Sequence, residues 1–283
     1  MNILFHQVRL AALICFLLFA GEGAAAANDV SRWDGDERSA ARLIAGSRPL
    51  GAAAFMRAGV EIRLKVGWHT YWRYPGDAGV PPKFDFSGSQ NVKQVHVLWP
   101  APQRLLEGGG TSIGYARDLI LPLHVVPQDS AKPVLLRLKL DYAVCEKLCV
   151  PAEAKAELLL GSASSGQDAA LAAAEAQVPR RHALGEGRTI AIRSVRRETD
   201  SARPRVLVDV AAPAGVPVDL FAEGPTPQWA LPVPVALDGA PEGLRRFAFD
   251  LDGAPAGASY EGALITLTAV GQQDAIEVAT RLD

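Results

Sequence analysis

The sequence is short of several residue types and patterns, and each shortage excludes a class of protein. Its formal net charge is −2 at pH 7, and no stripe of basic residues interleaved with aromatic residues occurs, so nucleic acid is not expected as a partner. After the first 27 residues no apolar run approaches the ~20 residues that a membrane-spanning helix needs. With two methionines, one of them the initiator, the chain lacks the many soft ligands of a dedicated copper carrier. We therefore expect a soluble mature protein.

Residues 1–27 have the order of features that defines a secretory signal peptide. One cation, Arg9, precedes a short apolar run, and small residues follow as far as Ala27. A membrane anchor is the alternative, but the run is too short to span a bilayer. A lipid anchor on Cys15 is disfavoured because the bulky Ile14 precedes it where a small residue is required. The sequence thus predicts export to the periplasm with cleavage after Ala27.

Three cysteines are present, and loss of the signal peptide leaves Cys145 and Cys149. In an oxidising compartment such a closely spaced pair is expected to form an intramolecular disulfide. The ring that it closes is small, so on the loop-entropy model the bond stabilises the fold by roughly 2 kcal/mol or less. Within the ring, Lys147 would favour a thiolate and Glu146 would oppose it. Spacing and compartment leave open whether the disulfide exchanges with partners or braces a hairpin.

Alternating apolar and charged residues predict β-strands in the first half of the mature chain. The alternation is strict over residues 60–66 and 136–142, which places one face of each strand on a core and the other in water. Turn-forming residues separate them from further candidate strands at 93–99, 118–126 and 154–160. Residues 28–160 are predicted to form one β-sandwich domain. The segment 108–112 predicts a flexible loop, because it lacks the ending of a phosphate-binding loop.

The pattern changes after residue 160. Residues 161–187 are predicted as a linker, in which the Ala-rich segment 167–178, stopped by Pro179, forms one short helix. Residues 188–283 return to short strands separated by Pro and Gly turns, which is typical of an immunoglobulin-like sandwich. Its candidate strands are 189–196, 205–210, 216–222, 229–237, 244–251, 260–270 and 275–282. The predicted fold class is all-β, with two immunoglobulin-like β-sandwich domains joined by a linker with a short helix, and the second domain is interpreted as a structural or docking module.

Four segments of the first domain resemble a known family. They are GWHTYWRYPGDAG at 67–79, VLWPAP at 97–102, GGTSIGY at 109–115 and LDYAVCEKLCVP at 140–151. Together they resemble the N-terminal periplasmic domain of the DsbD/ScsB family of thiol:disulfide interchange proteins. The chain as a whole is most similar to the ScsB-like branch (suppressor of copper sensitivity), whose periplasmic region is similarly duplicated.

The resemblance implies an immunoglobulin-like sandwich whose cysteine pair exchanges electrons. Carried over, Cys145 and Cys149 form the exchanging dithiol or disulfide, with Cys149 as the nucleophile and Cys145 as the resolving thiol. A cap loop that shields the pair in the family aligns with Gly109, Gly110 and Thr111, whose glycines predict a mobile flap. From the residues themselves, Glu146 and Lys147 are expected to line the site, and Tyr71 and Tyr142 are candidates to do so.

The resulting hypothesis is a periplasmic thiol–disulfide exchange protein. It would pass electrons from a separately encoded membrane thiol reductase or a thioredoxin-like donor to oxidised periplasmic thiol proteins. The tasks that the resemblance implies are cytochrome c maturation, disulfide isomerisation and copper-stress defence. No cofactor is expected beyond the cysteine pair, and the activity would be that of a component of a protein-disulfide reductase.

Two alternatives stay open from the sequence. In the first, two sandwich domains bind an envelope partner, and the disulfide is only a brace. In the second, the reduced cysteines bind Cu(I) together with one of His69, His96 and His124, because thiolates are soft ligands.

Overall fold

The computed structural model describes residues 28–48, 54–76, 79–107, 110–198 and 204–283. The predicted signal peptide, residues 1–27, lies outside these ranges. Within them, no helix is both long and apolar enough to cross a lipid bilayer. The regular structure of the described ranges consists of β-strands and one short α-helix, so the predicted fold class is confirmed.

The first sandwich is built from two antiparallel sheets. Its strands in the described ranges are β1 (Asp34–Gly35), β2 (Ser39–Ala45), β3 (Met56–Leu64), β4 (His69–Gly76), β5 (Lys83–Asp85), β6 (Val92–Val97), β7 (Gln103–Glu107), β8 (Gly110–Tyr115), β9 (Leu119–Pro127), β10 (Val134–Cys145) and β11 (Cys149–Leu160). One sheet has the strand order β1-β2-β3-β9-β6. The other has the order β11-β10-β4-β8-β7, with β5 also paired to β10.

A short helix and a second pair of sheets follow. The elements are α1 (Asp168–Glu175), β12 (Arg180–Arg181), β13 (Ala191–Glu198), β14 (Arg205–Ala211), β15 (Asp219–Glu223), β16 (Val235–Leu237), β17 (Leu244–Asp250), β18 (Leu264–Val270) and β19 (Ala275–Arg281). The sheet orders are β12-β19-β18-β15 and β13-β14-β17-β16. Strand β12 lies in the predicted linker but pairs in parallel with β19, so residues 180 and 181 are attached to the second sandwich.

Strict alternation explains the core of the first sandwich. On β10, Leu136, Leu138 and Leu140 are buried against the facing sheet, which contributes Leu43 and Val60 among others. The charged residues between the three leucines point to the opposite side of the sheet, because successive side chains of a strand alternate. At ~25 cal/mol per Å² of buried apolar surface, such fully buried leucines each stabilise the fold by about 2 kcal/mol.

Helix α1 packs against the outside of the first sandwich. Its Leu171 is fully buried, and the absence of a side chain at Gly59 leaves room for it, since a Cβ there would lie 2.9 Å from the Leu171 Cδ2 atom. Arg57 on β3 donates to Glu175 near the end of the helix, with Nε 2.8 Å from Oε1. The helix lies inside the predicted segment 167–178.

Two of the sequence expectations are wrong. The candidate strand 229–237 is reduced to β16, because Pro232 and Pro234 cannot donate to a ladder. The loop expected over 108–112 is strand from Gly110 onward. There the backbone pairs with β7 and, further along, with β4, and this ladder outweighs the conformational freedom of glycine. Residues 108 and 109 lie outside the described ranges.

Strand β4, which the sequence patterns did not predict, takes part in both sandwiches. Its first residues pair with β10 and β8 in the first sandwich. Its Trp72 and Tyr74 are buried in one continuous apolar cluster with residues of the second sandwich, among them Phe221 and Trp229. The two sandwiches therefore share part of their core.

Candidate redox site

The disulfide closes the end of the β10–β11 hairpin. The two strands pair without a shift over all of their residues, from Val134 opposite Leu160 to Cys145 opposite Cys149. Directly opposed residues of an antiparallel pair bring their Cα atoms to about 4.5–5.5 Å, and here the two Cα atoms are 4.1 Å apart with the sulfurs bonded. The predicted disulfide across a three-residue turn is present.

The two cysteines differ in exposure. Cys145 is 2% exposed, whereas Cys149 is exposed at the surface. Val144, the neighbour of Cys145, belongs to the sandwich core, while Cys145 packs on the opposite face of the sheet with Tyr71 and Ala143. The disulfide thus lies outside the sandwich core, with Cys145 covered and Cys149 exposed at the surface.

Tyr71 on β4 contacts both sulfurs. Its hydroxyl oxygen lies 2.7 Å from Cys145 Sγ and 3.0 Å from Cys149 Sγ, and its side chain is 1% exposed. The sulfurs of a disulfide carry no hydrogen, so the phenol is the donor. Gly79 lies against the ring, where a Cβ would be 2.7 Å from Cδ1. The close approach of that glycine keeps the ring covered.

Strand pairing sets the face of the sheet that Tyr71 occupies. Thr70 pairs with Val144 and His69 pairs with Cys145 in the β4–β10 ladder, and the Thr70 hydroxyl donates to the Ala143 carbonyl at 2.9 Å. Because side chains alternate along a strand, His69 and Tyr71 share the face that carries the disulfide. The His69 and Tyr71 rings meet edge to face with centroids 5.6 Å apart.

The turn between the cysteines is polar and exposed. Glu146 and Lys147, both predicted to line the site, are exposed. The Glu146 carboxylate lies toward the turn before β4, where a Cβ on Gly67 would be 3.7 Å from Oε1. Leu148 completes the turn with 79% of its side chain exposed. An apolar side chain in water beside the open sulfur is a surface that a partner protein can cover.

Tyr142 and the cap segment lie elsewhere. The structure turns Tyr142 into the sandwich core, where its hydroxyl lies 2.8 Å from Ser39 Oγ, because it is three residues from Cys145 and so faces the other way. Gly110 and Thr111 belong to the β7–β8 hairpin, and the Thr111 carbonyl lies close to Gly76 at the far end of β4. Gly109 is outside the described residues.

The three histidines do not gather around the sulfurs. His96 and His124 face each other across β6 and β9 in the other sheet of the sandwich, where burial lowers the pKa of His124. Only His69 is next to the cysteines. In the described part of the chain, no three or more His, Cys, Asp and Glu side chains are placed to hold a metal ion together.

Sequence reasoning named His69 only as one of three histidines that could join the cysteines, and could not single it out as the neighbour of the disulfide. The pairing of β4 with β10 is long-range and leaves no local signal. A weak signal did exist for Tyr71, because the spacing of two from His69 puts both on one face of a strand. The arrangement as a whole supplies an exposed cysteine, a covered cysteine and a buried hydroxyl that can donate to either sulfur.

Comparisons with known proteins concern the fold and the segment that contains both cysteines. The family model for the thiol:disulfide interchange protein DsbD, N-terminal, matches residues 52–161. The crystal structure of the N-terminal periplasmic domain of ScsB from Proteus mirabilis superposes with a TM-score of 0.70 at 18% identity, over 90% of this chain and 98% of that chain. No curated protein sequence matches the chain. Residues 52–161, which include both cysteines, therefore belong to the DsbD N-terminal family, and the chain has the fold of the ScsB periplasmic domain.

Proposed function

We propose that the protein carries electrons by thiol–disulfide exchange at Cys145 and Cys149 in the periplasm. The observation that supports this most is the asymmetry of the pair, in which the open Cys149 is bonded to the covered Cys145 beside the Tyr71 hydroxyl. A disulfide that only braces a hairpin needs neither an exposed cysteine nor a buried hydrogen-bond donor beside the sulfurs. The predicted signal peptide supports export, and we expect the mature chain to begin at Asn28.

In the reducing half-reaction, a donor dithiol delivers two electrons. A donor thiolate attacks Cys149 Sγ in line with the disulfide, a mixed disulfide forms, and the Cys145–Cys149 bond breaks. Cys145 leaves as a thiolate, which accepts a hydrogen bond from Tyr71 and then a proton. The second donor thiolate attacks the mixed disulfide, so that the donor leaves as a disulfide and Cys149 is left as a thiolate.

In the oxidising half-reaction, the electrons pass to a target disulfide. The Cys149 thiolate attacks one target sulfur, and the other target sulfur leaves as a thiolate. Cys145, once deprotonated, attacks Cys149 Sγ in the mixed disulfide, re-forms the internal bond and releases the reduced target. Exposure supports this division of roles, because Cys149 is exposed while Cys145 is covered and less accessible to a protein-sized partner.

Tyr71 acts on the charge that develops at sulfur. Burial penalises a Cys145 thiolate because charge is poorly solvated in an apolar site. A hydroxyl already aimed at the sulfur stabilises that thiolate without reorganisation. The same hydroxyl reaches Cys149, so it can stabilise the attacking thiolate in one half-reaction and the leaving thiolate in the other.

The donor and the targets are proposed to be thioredoxin-like proteins, with a membrane thiol reductase as the alternative donor. Membership of residues 52–161 in the DsbD N-terminal family supports partners of this kind. Leu148, the exposed apolar residue next to Cys149, offers such a partner an apolar contact beside the disulfide. Identification of the captured target would assign the protein to cytochrome c maturation, disulfide isomerisation or copper-stress defence.

Single-cysteine variants test the proposal. Reduced Cys145→Ser and Cys149→Ser proteins are mixed with oxidised glutathione and, separately, with an oxidised thioredoxin-fold protein. Cys145→Ser should form a mixed disulfide rapidly and stay there, Cys149→Ser should react far more slowly, and the wild type should pass on to its internal disulfide. Equal reactivity of the two variants, or no reaction of any protein while the fold is intact, would contradict the proposal.

A further inference from the structure

Strand β4, which carries Tyr71, stops pairing regularly with its neighbouring strands directly after that residue. Strand β4 pairs with β10 only through His69 and Thr70. Its pairing with β8 is regular at Thr70 and Tyr71 and then shifts before Gly76. The segment from residue 72 to 75 therefore depends on contacts other than sheet pairing for its position.

The second sandwich supplies those contacts. Trp72 is fully buried against it, with its ring centroid 6.0 Å from that of Phe221. The Tyr74 hydroxyl donates to the Trp229 carbonyl and accepts from the Leu231 amide. Phe221, Trp229 and Leu231 lie on the second sandwich, and the two β4 residues that contact them are one and three residues beyond Tyr71 along the chain.

Arg73 forms the charged part of this anchor. Its Nε lies 2.9 Å and its Nη2 lies 2.6 Å from the two carboxylate oxygens of Glu223, and Nη2 lies 2.5 Å from Glu277 Oε2. The side chains are 26%, 15% and 14% exposed, respectively. Burial opposes the charge of Arg73, but the hydrogen bonds and charges of the two glutamates outweigh it and raise its pKa. The guanidinium also stacks 4.5 Å from the Trp72 ring.

We propose that Arg73 is a positioning residue for thiol exchange, which through its bonds to Glu223 and Glu277 holds Tyr71 against the two sulfurs. The second sandwich is then part of the redox site rather than a separate docking module. Because the planar Arg73 guanidinium bonds two carboxylates at once, it fixes both the position and the orientation of the backbone at residue 73. This inference rests on the proposed function, because it concerns the same two cysteines.

The test compares pH profiles of the exchange rate with oxidised glutathione. Arg73→Met should shift the profile toward higher pH, as is also expected of Tyr71→Phe, and slow exchange at neutral pH by roughly threefold or more. In the double variant Tyr71→Phe/Arg73→Met, the profile should match that of Tyr71→Phe alone, because the second change acts through the first. Arg73→Lys, which keeps the charge but loses the fork, should fall between Arg73→Met and the wild type.

Arg104 offers a matched control. It also bonds across the two sandwiches, with Nη2 2.6 Å from Asp219 Oδ1, and it is 26% exposed like Arg73, but it lies on β7. Arg104→Met should lower stability and leave the pH profile unchanged. If Arg73→Met fails to fold, the same profile is measured on Arg73→Met/Glu223→Gln/Glu277→Gln, which also removes the two carboxylate charges that Arg73 pairs with.

Three results would overturn the inference: a wild-type profile for the Arg73 variant, an equal shift for the Arg104 variant, or additive shifts in the double variant. Failure of the proposed function looks different, because then the wild type itself does not exchange. In that case the Tyr71 variants also show no pH-dependent rate.

Discussion

Removal of one oxygen atom from the site should change the pH dependence of exchange in a specific way. In Tyr71→Phe the ring stays in its covered place, and the donor that lies 2.7 Å and 3.0 Å from the two sulfurs is lost. A hydrogen bond to a charged group contributes about 1.5–3 kcal/mol. At a pH where most of the protein is in the thiol form, the thiolate population should therefore fall about 10- to 100-fold.

The rate should fall by less than the thiolate population. A more basic thiolate is a better nucleophile, with a Brønsted coefficient of about 0.4–0.5, so roughly half of the loss on a logarithmic scale is recovered. Exchange at neutral pH should thus be about 3- to 10-fold slower in Tyr71→Phe. At a pH high enough to ionise the thiol in both proteins, the variant should be faster by a similar factor, so the two profiles cross.

The assay is stopped-flow oxidation of the reduced proteins by glutathione disulfide, from mildly acidic to strongly alkaline pH. Tyr142→Phe is the matched control, because it loses a buried hydroxyl that bonds Ser39 Oγ at 2.8 Å on the other face of the hairpin. It should lose about 1 kcal/mol of stability and keep the wild-type profile. A Tyr71→Phe profile that runs parallel to the wild-type profile at every pH, or that coincides with it, would refute the role of Tyr71 as the donor that stabilises the thiolate.

Three further outcomes are expected. Leu148→Ser should raise the KM for an oxidised thioredoxin-fold protein but not for glutathione. Leu159 is also exposed on this hairpin, about 30 Å further along the strand, so Leu159→Ser should change neither KM. An equal effect of the two substitutions would disprove partner contact at the turn. Phe221→Ala should destabilise both sandwiches by about 3–5 kcal/mol in one cooperative urea transition because they share a core, and separate transitions would count against that sharing. Hydrogen bonds from Arg246 and then Ser194 lower the pKa of Asp209. The contribution of Asp209 to stability is therefore present above its unfolded-state pKa and is lost as the pH falls through its folded-state pKa. Asp209→Asn should flatten the acid limb of the curve of unfolding free energy against pH, and an unchanged limb would contradict this.

Local patterns predicted much of the fold because they record one exposed and one buried face. The leucines at 136, 138 and 140 alternate with charges, and β10 is found there. Strand β4 was not predicted because residues 69–72 are all buried, so no polar face marks its period. The strand expected at 229–237 failed because apolar content alone does not supply the amide hydrogens that proline removes.

The site divides in the same way. The disulfide and its hairpin could be predicted because Cys145 and Cys149 are four residues apart and a strand pattern flanks them on each side. The placement of Tyr142 could have been predicted from its odd separation from Cys145, because odd separations on a strand alternate faces. The position of His69 opposite Cys145 depends on a pairing between residues 76 apart in sequence, and the anchoring of β4 by Glu223 and Glu277 spans two domains. Neither leaves a periodic signal.

The measurement that decides most directly whether this disulfide carries electrons is its reduction potential, obtained by equilibrating the folded protein in glutathione or dithiol buffers. An exchanging pair should titrate reversibly as a two-electron couple at a potential well above roughly −300 mV, the range below which structural disulfides lie. A bond that stays closed in those buffers, or that opens only when the protein unfolds, would show that the cysteines brace the hairpin instead.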